Sequence, residues 1–138
     1  MSADGSVVAI GAYANDGGGG NSGHVRIYEN NNGTWTQIGS DIDGESSYDY
    51  SGHSVSLSSD GSVVAIGAYG NDGNGNGSGH VRIYENNNGT WTQIASDIYG
   101  EAGNDNSGFS DSGSAVSLSA DGSVAVSYTH LTLPTKSS

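Results

Sequence analysis

The chain has 138 residues, 24 of them glycine and one proline, with 33% hydrophobic residues: enough for one modest core, and rich in turn-formers rather than helix-formers. Fifteen acidic residues against three basic ones give a formal charge of −12, which repels phosphate backbones and anionic membrane surfaces; nucleic-acid binding is disfavoured, and no apolar run reaches bilayer-spanning length. With no cysteine, disulfide frameworks and thiolate metal sites are excluded and the redox compartment stays undetermined.

The chain nearly repeats itself. Residues 4–13 return 56 positions later as 60–69, residues 24–38 return as 80–94, and a third copy opens at 117–124. A period of this size marks a stacked or radial architecture in which one unit cannot bury its apolar face alone. Met1 stands where the next copy has Leu57, so the first unit is expected to lack its first strand. In the second unit, residues 54–58 alternate small polar with apolar side chains, placing Val55 and Leu57 on one face of a strand. A turn at Ser59, Asp60 and Gly61 leads to 63–68, apolar on both faces and so the expected interior strand. An Asn/Gly loop over 71–79, expected to be exposed, precedes a half-exposed strand at 80–85. The reversal at 86–89 uses Asn and Gly, which tolerate positive φ, and a strand at 90–94 pairs back.

Four antiparallel strands per unit of this length predict an all-β fold: a fragment of a β-propeller with four-stranded blades. The units divide as 1–42, a truncated first blade; 43–98, the second; 99–124, the start of a third; and 125–138, a non-native tail. Residues 125–135 depart from the repeat and resemble a translated sequencing adapter, so they are set aside in reasoning about the fold.

The runs Ser51-Gly52-His53-Ser54-Val55, Ile66-Gly67-Ala68-Tyr69 and Ser78-Gly79-His80-Val81-Arg82-Ile83-Tyr84 resemble the FG-GAP repeat of integrin-α-type propellers. The resemblance covers nearly all of residues 1–124. It implies a propeller blade and an extracellular or cell-surface protein that binds other molecules. Tyr13 and Tyr69 stand where that family has proline, and its calcium loop is reduced to Ser59-Asp60-Gly61-Ser62.

Calcium needs six to eight oxygen ligands from a short loop. The remaining candidates are Asp41, Asp43, Glu45 and Asp49, with Asp16 and Asp72 in their glycine-rich loops, and solvated turns account for them more simply; no cofactor is expected. His24 and His80 occupy equivalent places in separate units and are assigned a strand-edge structural role; Trp35 and Trp91 are assigned to packing between neighbouring blades. Gly18, Gly20 and Gly23 match the dinucleotide-binding spacing, but a strand rather than a helix follows them.

An enzyme needs an acid/base constellation that breaks the repeat, whereas nearly every polar feature here is repeated. A non-catalytic binding or adhesion module is therefore expected, the rivals being a carbohydrate-active propeller enzyme and a structural spacer. Copies differ mainly in two loop regions, which is how scaffolds present binding surfaces. Expected contacts are Asp43, Glu45, Tyr48, Asp49 and Tyr50, with their counterparts Tyr99, Glu101, Asp105 and Phe109. The partner is a protein or glycan of neutral or cationic surface; neither nucleic acid nor membrane insertion is expected, and further blades of the same parent chain are required.

Overall fold

The computed structural model describes residues 1–68, 70, 79–99, 116–127 and 132–134. They form three antiparallel sheets and, among the described residues, no helix. The first sheet contains β1 (Val7–Ala12), β2 (His24–Asn31), β3 (Thr34–Gln37) and the short β4 (Ile42–Asp43), with β3 and β4 both pairing β2. The second is a four-stranded meander of β5 (Ser54–Leu57), β6 (Val63–Ala68), β7 (His80–Asn87) and β8 (Thr90–Tyr99). The third joins β9 (Val116–Leu118), β10 (Val124–Ser127) and β11 (Thr132–Pro134). Residues 125–127 and 132–134, excluded from the sequence-based fold, thus lie in strands, with Ala125 opposite both Leu118 and Leu133.

The sheets stack because alternate side chains of one strand serve different neighbours. All six residues of β6 are buried, as the two-sided apolar run predicts. Val64 and Ile66 join Val7, Val25, Ile27 and Ile42 of the first sheet in one core. Val63 and Ala65 point the opposite way, into a second core with Val81 and Ile83 that Val116 and Leu118 of the third sheet adjoin. Trp91 packs against the first core and its indole N–H donates to the Ile38 carbonyl (2.9 Å), so it bridges sheets as expected. On the outer face of the first sheet the equivalents of Ile66 and Trp91 are exposed: Ile10 by 52% and Trp35 by 46%.

The Ser-x-Asp-Gly-Ser turns also interlock. Gly5, Gly61 and Gly122 share a φ of 75–77°, and a β-carbon on Gly61 would lie 2.8 Å from the Val7 side chain, as one on Gly122 would lie 2.9 Å from Val63. The turns are tied together by backbone bonds, Ala3 N–H to Ser59 carbonyl (2.8 Å) and Ser59 N–H to Ala120 carbonyl (2.7 Å).

Two strands of the second sheet outrun expectation, β7 continuing past Glu85 to Asn87, into the expected reversal. The fourth strand runs five residues beyond Ile94, to Tyr99, through an irregularity in its pairing with β7 between Val81 and Ile83. Ala95 takes the left-handed conformation there (φ 64°), as Gly39 does at the same place in the first unit (φ 70°). This kink carries the chain past a residue at which a regular strand would end. The loop over 71–78 lies outside the described residues, and Gly79, its last member, is buried.

Candidate functional site

Two loops that follow the strands of the first sheet are zipped together by their own backbones. Gly44 N–H donates to the Gly23 carbonyl (2.8 Å), Tyr48 N–H to Gly20 (2.8 Å), Tyr50 N–H to Asn21 (3.1 Å) and Ser51 N–H to Ser22 (2.9 Å). Gly23 and Ser51 form an isolated parallel bridge. On the other flank Gly70 N–H donates to the Asp49 carbonyl (3.0 Å), so residues 44–51 are clamped between the loop before β2 and Gly70, after β6. The two regions in which the copies differ are therefore one surface.

Its most prominent content is aromatic. Tyr13 lies 6.3 Å from Tyr50 and 5.4 Å from His53 between ring centroids, the latter edge-on at 69°, and Tyr48 lies 6.4 Å from Tyr50. Tyr13 and Tyr48 are 47% and 59% exposed. Tyr48 and Tyr50 both hold positive φ (65° and 54°), a region that bulky side chains rarely occupy.

Of the expected contact residues, the structure brings Tyr48 and Tyr50 together with Tyr13 and His53, which sequence reasoning did not select. Asp43 is exposed at the end of β4, opposite His24. Asp49 is only 2% exposed, so its side chain faces inward rather than toward a partner. Glu45 is turned toward the second sheet, as described below. Tyr99 closes β8 opposite His80, and Glu101, Asp105 and Phe109 lie outside the described residues.

Beneath the loops sits a repeated ion-pair motif. Arg26 grips Asp41 with two bonds (2.9 and 3.0 Å), Gln37 donates to the same carboxylate, and Arg82, Asp97 and Gln93 repeat the arrangement. The Arg26 bonds, then that of Gln37, hold the Asp41 carboxyl down at about 2. Burial works to raise the Asp97 carboxyl, but the Arg82 and Gln93 bonds outweigh it and keep it below the ordinary carboxylate range. Glu45, in the loop that leaves the first sheet after β4, adds a 2.6 Å bond to the Arg82 guanidinium. His24 and His80 open β2 and β7 as buried residues beside these pairs. Burial, then the Arg82 charge, depresses His80 to about 4, although Asp97 and Glu45 pull upward at 3.9 and 3.8 Å.

Among the described residues, potential metal-ligand atoms gather within 4.8 Å in two places, His24 with Asp41 and Asp43, and Glu45 with Asp49 and His80. In each an arginine already bonds one of the carboxylates. The turn aspartates are also engaged: Oδ1 of Asp60 accepts from the Ser58 and Ser62 hydroxyls and the Ser62 N–H, and Asp4 and Asp121 do the same in the other units. The glycines at 18, 20 and 23 precede β2, which removes the helix terminus a dinucleotide phosphate requires.

Residues 40–84, from the approach to β4 through most of β7, match the family model of the FG-GAP repeat. The chain therefore carries an FG-GAP-like repeat, and its antiparallel sheets are blades of the propeller type. No curated protein matches the chain.

Proposed function

We propose that this FG-GAP-like chain is a non-catalytic binding or adhesion module of an extracellular or cell-surface propeller protein. The observation that carries the reading is the zipped loop pair: a rigid, repeated scaffold presents its variable residues on one rim. The polar groups beneath are committed to structure. Arg26 and Arg82 hold Asp41, Asp97 and Glu45, and the turn carboxylates are capped by serines, so these carboxylates brace the sheets. No calcium binding tighter than millimolar is proposed for the same reason. The exposed face bearing Val8, Ile10, Tyr28 and Trp35 receives a further blade of the parent chain, because the equivalent face of the second sheet is covered by the first.

The test is a combined glycan and protein array probed with the wild-type chain and with a rim variant in which Asp43, Tyr48 and Tyr50 are changed to Ser. Retention of a ligand by wild type and its loss in the variant is the expected outcome. Equal retention by the two removes the rim from consideration, and turnover of a bound glycan favours an enzyme instead.

A further inference from the structure

We propose that Tyr13, Tyr48, Tyr50 and His53 form a platform for a neutral glycan. This rests on the binding-module reading and names its ligand class. Three features carry it. First, the rings gather from two chain segments, Tyr13 from one and Tyr48, Tyr50 and His53 from the other, onto one rim, with the contacting pairs tilted by 55°, 69° and 59°. The half-exposed rings of Tyr13 and Tyr48 offer apolar surface to the C–H faces of a sugar. Secondly, Tyr48 and Tyr50 are held at positive φ by hydrogen bonds to the facing loop, so their positions are set before a ligand arrives and little ordering is left for binding to impose. Thirdly, the loops that carry the rings are rich in Asn, Ser, Gly and Asp, whose polar groups include acceptors and donors suited to sugar hydroxyls, with no Lys or Arg in 13–22 or 43–53.

Size and charge decide against the alternatives. With Tyr13 and Tyr48 about half exposed, the ring cluster offers on the order of 300 Å². A standard protein interface takes about 800 Å² from each partner. The formal charge of −12 and the loops without a cation disfavour sialylated or sulfated glycans.

The test is an array of neutral and anionic glycans probed with the intact chain as wild type, Tyr48→Phe, Tyr48→Gly and Tyr13→Ala, each checked by thermal unfolding. Wild type should retain neutral glycans and reject anionic ones. Tyr48→Phe keeps the ring and should stay within about threefold, whereas Tyr48→Gly and Tyr13→Ala should each lose about tenfold. Because glycine favours the φ of 65° at position 48, Tyr48→Gly should lose affinity without a lower unfolding midpoint, which separates binding from folding. Retention of no neutral glycan, or retention unchanged in both ring-deleted variants, overturns the proposal. A protein array run alongside keeps the readings apart. Protein hits without glycan hits overturn the glycan assignment and leave the module standing; no hits on either array overturn both.

Discussion

Arg82 of β7 reaches out of its own sheet to Glu45, in the loop that leaves the first, with 2.6 Å between Nη2 and Oε2, while the same guanidinium holds Asp97 of β8 at 2.9 Å. One cation thus ties the loop that leaves the first sheet to two strands of the second. The Asp97 side chain is 13% exposed and that of Glu45 40%, so the two halves differ in worth. Losing the exposed partner should cost little, whereas losing the arginine strands a largely buried carboxylate.

Glu45→Ala is therefore expected to destabilise the chain by less than about 1 kcal/mol, and Arg82→Ala by about 3 kcal/mol. Denaturant unfolding of both variants and the double mutant checks this, and equal costs would contradict the assignment of Asp97 as the dominant partner.

The turn glycines supply an internal control. Gly5, Gly61 and Gly122 share one backbone conformation, but a β-carbon on Gly5 meets only the Met1 sulfur at 3.7 Å, while one on Gly61 meets Val7 at 2.8 Å. Gly5→Ala should cost about 1–2 kcal/mol, the left-handed penalty alone. Gly61→Ala should cost a further 1–3 kcal/mol or so from overpacking. Identical midpoints for the two variants would mean that the turn of one sheet does not press on the next.

At the fourth-strand kink, Ala95 adopts the conformation that Gly39 adopts in the first unit. Ala95→Gly is expected to stabilise by up to about 1 kcal/mol, relief of the left-handed penalty less the added freedom of the unfolded chain. A lower thermal midpoint in this variant would contradict that reading.

The pH dependence has two stages. His80 is depressed to about 4, so the unfolded state, near 6.5, takes up its proton first. Its contribution is complete above about pH 6.5 and is lost as pH falls toward 4. Asp41 and Asp121, held at about 2, contribute above an unfolded value of roughly 3.9 and lose that contribution as pH falls through 2. Unfolding midpoints should decline in both intervals for wild type and in the lower one alone for His80→Gln. Survival of the upper decline in that variant would remove His80 as its source.

The strands and tight turns were legible because each rests on local chemistry repeated in register: the two-faced run at 63–68, and Asn32-Gly33 and Asn88-Gly89, whose residues all take positive φ. The strand beyond Ile94 was not, since the kink at Ala95 is held by pairing with β7 rather than by a residue type that signals it. The meeting of the two loops was equally hidden, because backbone groups make the zipper and any sequence carries them. Tyr13 and His53 escaped selection for related reasons. Tyr13 is repeated as Tyr69 and so gives no sign of variation between copies, and nothing in the run from Ser51 to Val55 shows that the His53 ring lies edge-on to Tyr13.

Stacking of repeated sheets is tested most directly by the two tryptophans, which sit in the same local sequence, Thr-Trp-Thr-Gln-Ile, and differ only in what covers them. Acrylamide quenching of Trp35→Phe, which leaves Trp91, is compared with that of Trp91→Phe, which leaves Trp35. With the sheets stacked as described, Trp91 should emit at shorter wavelength and resist quenching, while Trp35, 46% exposed, should emit to the red and quench readily. Indistinguishable emission and quenching from the two would contradict the stacking of the first sheet on the second.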